Sequence, residues 1–332
     1  YMGNGERRLA SESYSKKEIQ SVFGNISVGY KSMVHVDVTG RNDWSSTLAY
    51  TNNFSYFYPS VGVTALLNEM IPMGEKINLL KFRASYSVVG NDVPAYITYP
   101  LDGINLGALE PNTSEPFTEM KPEKMHSMEF GVDLAMFDNR FNFDVTYYKT
   151  NNKNQYFSIA APLASGYSSY YINAGNIENQ GFEASASYRW DFAKDWSWKT
   201  ELNMSYNHNK IKELDSRLAD GVQIGSGSGF RFMLKEGGSF GDIYGYKLLR
   251  NEDGVKLNES GVPVKSDTQE YLGNVNPDWQ LGWGNTITYK DFSFYFLIDG
   301  KIGGNTIGMT QSYLDSYGVT ETTADARDNG GV

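Results

Sequence analysis

The chain has 332 residues, a net charge of -10, a pI of about 4.9 and 14% aromatics, with 24 tyrosines. The acidic balance and the lack of any run of Lys and Arg exclude nucleic acid as a partner, because phosphate contacts need concentrated basic charge. The absence of cysteine excludes disulfides, thiolate metal sites and a cysteine nucleophile. No run approaches the roughly 18 to 20 apolar residues of a membrane helix, and mean hydropathy is -0.46. Barrel strands escape that test, because only every second residue meets lipid.

Alternation of apolar and polar residues marks about ten crossings. Ser21 to Tyr30 sets Ile26, Val28 and Tyr30 against Asn25, Ser27 and Gly29. Lys31-Ser32 turns it into Met33 to Asn42, where Val34, Val36 and Val38 oppose His35, Asp37, Thr39 and Arg41. Phe57 to about Leu66 follows, then Leu80 to Val88, whose Lys81 and Arg83 share a face that must be wet. His126 to Met136 and Phe141 to Lys149 flank Asp138-Asn139-Arg140. Gly181 to Trp190 pairs with Trp196 to Asn207, and Gln280 to Tyr289 with Phe292 to Gly300. Phe292, Phe294, Phe296 and Ile298 form the strongest apolar stripe.

Parity tests this path. The turns at Lys31-Ser32, Asp138 to Arg140, Asp191 to Asp195 and Lys290-Asp291 fall on one side, provided Leu67 to Asn78 is a fifth connection there. The long connections Asp43 to Tyr56, Val89 to Met125, Thr150 to Asn179 and His208 to Trp279 fall on the other. Short periplasmic turns and long outer loops are the asymmetry of outer-membrane barrels. Tyr30, Phe137, Phe141, Trp190, Trp196, Tyr289 and Phe292 bracket the short turns as an interfacial girdle. The longest outer loop holds Gly225 to Gly229, which lacks the setting of a phosphate cradle, and a short hairpin around Asn251 to Gly254.

Several segments resemble the barrel of SusC/RagA-type TonB-dependent transporters of Bacteroidetes outer membranes. They are Asp37 to Leu48, Tyr58-Pro59-Ser60-Val61, Leu80 to Tyr86, Val89-Gly90-Asn91-Asp92, Lys121-Pro122-Glu123-Lys124, Asp144 to Lys149, Asn173 to Gly181, Tyr244-Gly245-Tyr246 and Gly273 to Trp279. The resemblance implies an all-β, antiparallel, up-and-down transmembrane barrel of about 22 strands around a plug. Residues 1–332 supply about ten of those strands, without the plug or the terminal strands. It also implies outer-membrane nutrient import, with a SusD-like lipoprotein lid, TonB acting through the absent plug, outer-membrane lipid around the wall, an oligosaccharide or peptide as substrate, no cofactor and no catalysis. Tyr1-Met2-Gly3-Asn4 shows no secretory signal, and Asp328 to Val332 reads as the middle of an outer loop.

Candidate ligand or partner contacts are Trp44, Asn91, Asp92, Tyr167, Tyr170 and Tyr171. Trp44 suits sugar stacking or, more plainly, an interfacial rim, and the tyrosines suit ligand contact or loop structure. Asp37, Arg41, Lys81, Arg83, Glu129, Asp133, Asp144, Glu183, Arg189, Lys199 and Glu201 are expected to line the lumen. There they either steer substrate or pair with one another or with a plug. His35, His126 and His208 lack ligand-spaced partners, and Asp215, Asp220, Glu252 and Asp253 lack calcium-loop spacing, so no metal site is expected. Two other classes share the alternation. A barrel hydrolase needs a Ser or Asp converging with His, and a soluble β-sandwich or adhesin needs Val36, Phe130, Phe294 and Phe296 packed against a second sheet.

Overall fold

The computed structural model describes residues 14–105, 107–252, 254–259 and 261–329. The readings made on Tyr1 to Asn4, Asp253 and Gly330 to Val332 lie outside them. The alternating segments form one antiparallel meander of ten strands: β1 Ile19–Tyr30, β2 Val34–Ser45, β3 Ser55–Leu66, β4 Ile77–Asn91, β5 Glu123–Met136, β6 Phe141–Ala160, β7 Ser169–Ala193, β8 Trp196–Leu214, β9 Trp279–Tyr289 and β10 Phe292–Ile302. Each pairs with its neighbour in this order, and β1 and β10 are the outermost strands of the sheet among the described residues.

Register carries the pattern across the whole sheet. One row runs Val28, Val36, Val63, Ala84, Phe130, Tyr147, Phe182, Tyr206, Trp279 and Ile302. The next runs Gly29, His35, Thr64, Arg83, Gly131, Thr146, Glu183, Ser205, Gln280 and Lys301. Because side chains alternate about the pleat, these rows lie on opposite faces. Phe292 and Phe294 are 79% and 64% exposed, and no second sheet packs on the apolar face among the described residues. That arrangement rules out the β-sandwich.

The turns at one end are tight. Lys31 and Ser32 both have positive φ, 48° and 56°, which fits the primed hairpin turn that follows strand twist. There Trp190, Phe192, Trp196 and Tyr289 form a chain of rings, with successive centroids 5.4, 6.0 and 4.5 Å apart. A second aromatic group, Phe182, Tyr206 and Trp279, packs on the same face with Trp279 5.4 and 4.9 Å from the other two. Phe182 and Phe192 are about 33 Å apart along β7, or about 25 Å along the membrane normal at a barrel's usual tilt, the height of an apolar band. The fifth connection at this end contains the one-turn helix α1, Leu67–Met70.

The strands at the long-loop end run further than alternation suggests. The stretch expected as a loop from Thr150 to Asn179 continues β6 to Ala160 and begins β7 at Ser169. Alternation fails there because bulges shift the register near Lys153, Gln155 and Tyr156, and Asn154 takes a φ of 59°. Both buried clusters lie at this end. Ile172, Ala174, Ile177, Ile211, Leu214, Leu218 and Leu234 make one, and Leu48, Tyr56, Val93, Ile97 and Met120 the other. The strands thus rise past the apolar band into packed loops that carry their own cores.

The connection from β8 to β9 folds into a four-stranded sheet, Val222–Gly227, Phe230–Leu234, Asp242–Gly245 and Glu270–Asn274, outside the ten-stranded meander. Arg250–Asn251 pairs with Gly254–Val255 as the short hairpin. The segment Gly273 to Trp279 pins this sheet in place. Asn274 donates to Asp242 at 2.8 Å and Asn276 to the Phe240 carbonyl at 2.7 Å, while Asn209 of β8 accepts from the Phe240 N–H at 2.6 Å. Two short helices, α2 Met309–Ser316 and α3 Glu321–Asp328, follow β10.

Candidate functional site

The polar face places its charges in pairs. Arg83 of β4 crosses Gly131 of β5, whose missing side chain leaves room for the guanidinium: a β-carbon there would lie 2.8 Å from Nη2. Arg83 reaches Asp133 at 3.2 Å, Asp144 at 2.6 Å and the Thr146 hydroxyl at 3.0 Å, while Lys81 meets Asp133 at 2.6 Å. Arg41 donates to Asp43 and Ser21, Ser27 donates to Asp37, Arg189 pairs with Asp191, and Lys199 pairs with Glu201. Glu129 accepts from Ser127 at 3.3 Å, and Glu183 lies between Thr146 and Ser205 in register.

At the long-loop end Asp92 joins two loops. Its carboxylate accepts from Ser45 at 2.6 Å, from the Val93 N–H at 2.8 Å and from Thr47, and it meets Lys17 at 2.8 Å. Desolvation pushes this carboxyl up, but Lys17, Ser45, Thr47 and Val93 together outweigh it and hold it below the ordinary carboxylate value. Asp92 therefore clamps its own loops and presents little free acceptor to a ligand. Asn91 lies at the end of β4 opposite Glu123, and half-buried Trp44 lies opposite Gln20 and Ser55.

A cavity of about 820 Å³ opens beside this clamp, and Tyr170 and Tyr171 line it. They sit on β7 where it passes between the buried clusters, Tyr170 packing on one and Tyr171 on the other. Tyr167 lies outside the cavity lining. Asn173 fixes the wall: it accepts from the Lys121 N–H at 2.8 Å and donates to the carbonyls of Lys121 at 3.0 Å and Asn154 at 2.7 Å. Arg217 is gripped by Asp215 through two bonds of 2.8 and 2.9 Å, which together with the Arg217 N–H bring the Asp215 carboxyl down to about 2.

Sequence reading did not single out Asn53, Lys121, Asn173 or Arg217 as cavity residues. The signals were present, since Lys121 and Asn173 open two of the family-like segments and Arg217 stands two residues after Asp215. Amides, one guanidinium, carboxylates and aromatic rings face the same space. That chemistry binds a polar ligand through hydrogen bonds and ring contact. His35, His126 and His208 stand on β2, β5 and β8, and no metal-ligand group occurs among the described residues.

A ten-stranded antiparallel sheet with one apolar face, one charged face, two aromatic belts and short turns at one end is the wall of a transmembrane barrel of the outer membrane. The chain belongs to the TonB dependent receptor-like, beta-barrel family, whose model matches residues 3–327. TonB-dependent receptor P3 of Formosa agariphila is 27% identical over 97% of this chain and 35% of its own length. TonB-dependent receptor SusC of Bacteroides thetaiotaomicron is 24% identical over 87% of this chain and 31% of its own length. Among solved structures, the RagAB peptide importer in its open-open state superposes with a TM-score of 0.71 at 23% identity, covering 87% of this chain and 33% of that one. The chain spans about a third of the length of the curated relatives it matches.

Proposed function

We propose that the chain forms wall and outer loops of a TonB-dependent importer that takes up an oligosaccharide or a peptide. The polar face then lines the lumen. Its basic groups are paired with carboxylates, while Asp37, Glu129 and Glu183 meet no basic partner among the described residues, which leaves a polar passage of mildly acidic character. A SusD-like lipoprotein covers the loop end, and TonB acts through a plug supplied by the longer protein. The observation that carries the reading is the cavity under Tyr170, Tyr171 and Arg217, built at the end of the wall where an incoming solute arrives. Its groups hold and orient a ligand, and none of them serves as an activated nucleophile.

The test uses the full-length receptor with its neighbouring lipoprotein in the native cell. Tyr170→Ala with Tyr171→Ala, and separately Arg217→Gln, are scored for growth on a panel of oligosaccharides and peptides. The proposal expects one substrate class to be lost while receptor abundance in the outer membrane is kept. Unchanged growth on every substrate that the wild type uses and the receptor deletion does not would sink the assignment of this cavity.

A further inference from the structure

Directly above the row Phe130, Tyr147, Phe182 and Tyr206, the apolar face becomes basic. The positions that continue it are Met128, His126 and Lys124 on β5, Lys149, Asn151 and Lys153 on β6, Gln180, Glu178 and Asn176 on β7, and His208 and Lys210 on β8. Lys212, at the β8 bulge, reaches the same patch, lying 3.9 Å from Glu178. Five lysines therefore face Glu178 and Glu213 on a chain whose net charge is -10.

Glu178 is already used. Lys149 meets it at 2.9 Å and Asn151 donates to it at 3.4 Å. Lys124 and Lys153 stand directly opposite each other across β5 and β6, and among the described residues neither has a carboxylate partner. Like charges placed opposite on paired strands are destabilising. The arrangement costs free energy unless an anion lies over it.

We propose that this rim binds the phosphate-bearing headgroup of an outer-leaflet glycolipid, with its acyl chains lying down the apolar face past Met128, Phe130 and Tyr147. Free phosphate has no use for the apolar face below, and an acidic protein has no use for acyl-length apolar surface. A phosphorylated lipid uses both surfaces at once. The five lysines come from three strands, which is why no run of basic residues announces the patch in the sequence.

The test takes the full-length receptor in neutral detergent and follows its thermal unfolding with purified lipid A, with dephosphorylated lipid A, and with inorganic phosphate. Wild type is expected to gain stability from lipid A and much less from the other two. Lys124→Gln with Lys153→Gln should weaken that response about tenfold while matching or exceeding wild type without lipid, because the repulsion is gone. Substrate uptake by the same variant should be unchanged, so its outcome is separable from that of the cavity variants. An equal response to lipid A in wild type and variant, an equal response to dephosphorylated lipid, or a response to inorganic phosphate as large as that to lipid A would each overturn the proposal.

Discussion

Tyr148 of β6 lies over Gly181 of β7 and donates its hydroxyl to Asn207 of β8 at 3.0 Å, tying three strands together through one ring. A β-carbon at Gly181 would sit 2.8 Å from the Tyr148 hydroxyl and would also strike the Tyr206 carbonyl. The glycine that ends the family-like segment Asn173 to Gly181 is thus required by close approach of its neighbours. Gly181→Ala should cost about 1–3 kcal/mol, read as a lower thermal midpoint of the full-length receptor. A midpoint equal to wild type would show that the strands part without strain.

Arg83 is the shared counter-charge of Asp133 and Asp144. Arg83→Gln should destabilise by about 1–2 kcal/mol, less than at a fully buried site because the guanidinium is partly solvated. Adding Asp144→Asn should restore part of the loss, and a double-mutant cycle measures the coupling. Additive effects would show that the contact is incidental.

The apolar face hides polar pairs under tryptophans. Trp198 donates to Asn285 at 3.0 Å and Trp283 to Thr200 at 2.9 Å, and Asn285 is only 2% exposed. Trp198→Phe leaves the amide oxygen without its donor and should cost about 0.5–2 kcal/mol. Asn285→Val in that background should recover most of it. Failure to recover in a well-folded double variant would assign the loss to packing of the indole instead.

Asp92 makes the clamp on the loops pH-sensitive. Its native carboxyl titrates below the ordinary value of 3.8, so the clamp contributes fully above that value and is lost as pH falls through the lower native one. Protection of amides 45–48 and 92–98, taken relative to intrinsic exchange at each pH, should therefore be high at neutral pH and fall below about pH 4. Asp92→Asn should exchange faster at neutral pH and respond less to acid. Equal protection in wild type and variant at neutral pH would remove Asp92 from this role.

All ten strands and their order are legible in the sequence, because a sheet wetted on one face repeats every two residues. The outer halves of β6, β7 and β8 are not. There Ile172 and Ile177 face packed loops while the other face carries charged and amide side chains, and Asn-rich stretches that look like turns are held straight by cross-strand amides such as Asn209 to Asn179 at 2.8 Å. Tyr170 and Tyr171 stand out in the sequence, and both line the cavity. Arg217 and Asn53 do not stand out, since the cavity depends on how distant loops pack. Asp92 stands out as a contact candidate, but its part in the clamp is hidden because its four donors come from three separate parts of the chain.

The ten strands form a wall with lipid on one face and water on the other. Single cysteines in β10 of the full-length receptor, made free of other reactive cysteines and carrying spin labels at 292, 294, 296 and 298 and at 293, 295, 297 and 299, test it by collision with oxygen and with a water-soluble nickel chelate. The even positions should favour oxygen and the odd ones the chelate, alternating along the strand. Equal access of the chelate to both sets would contradict the account.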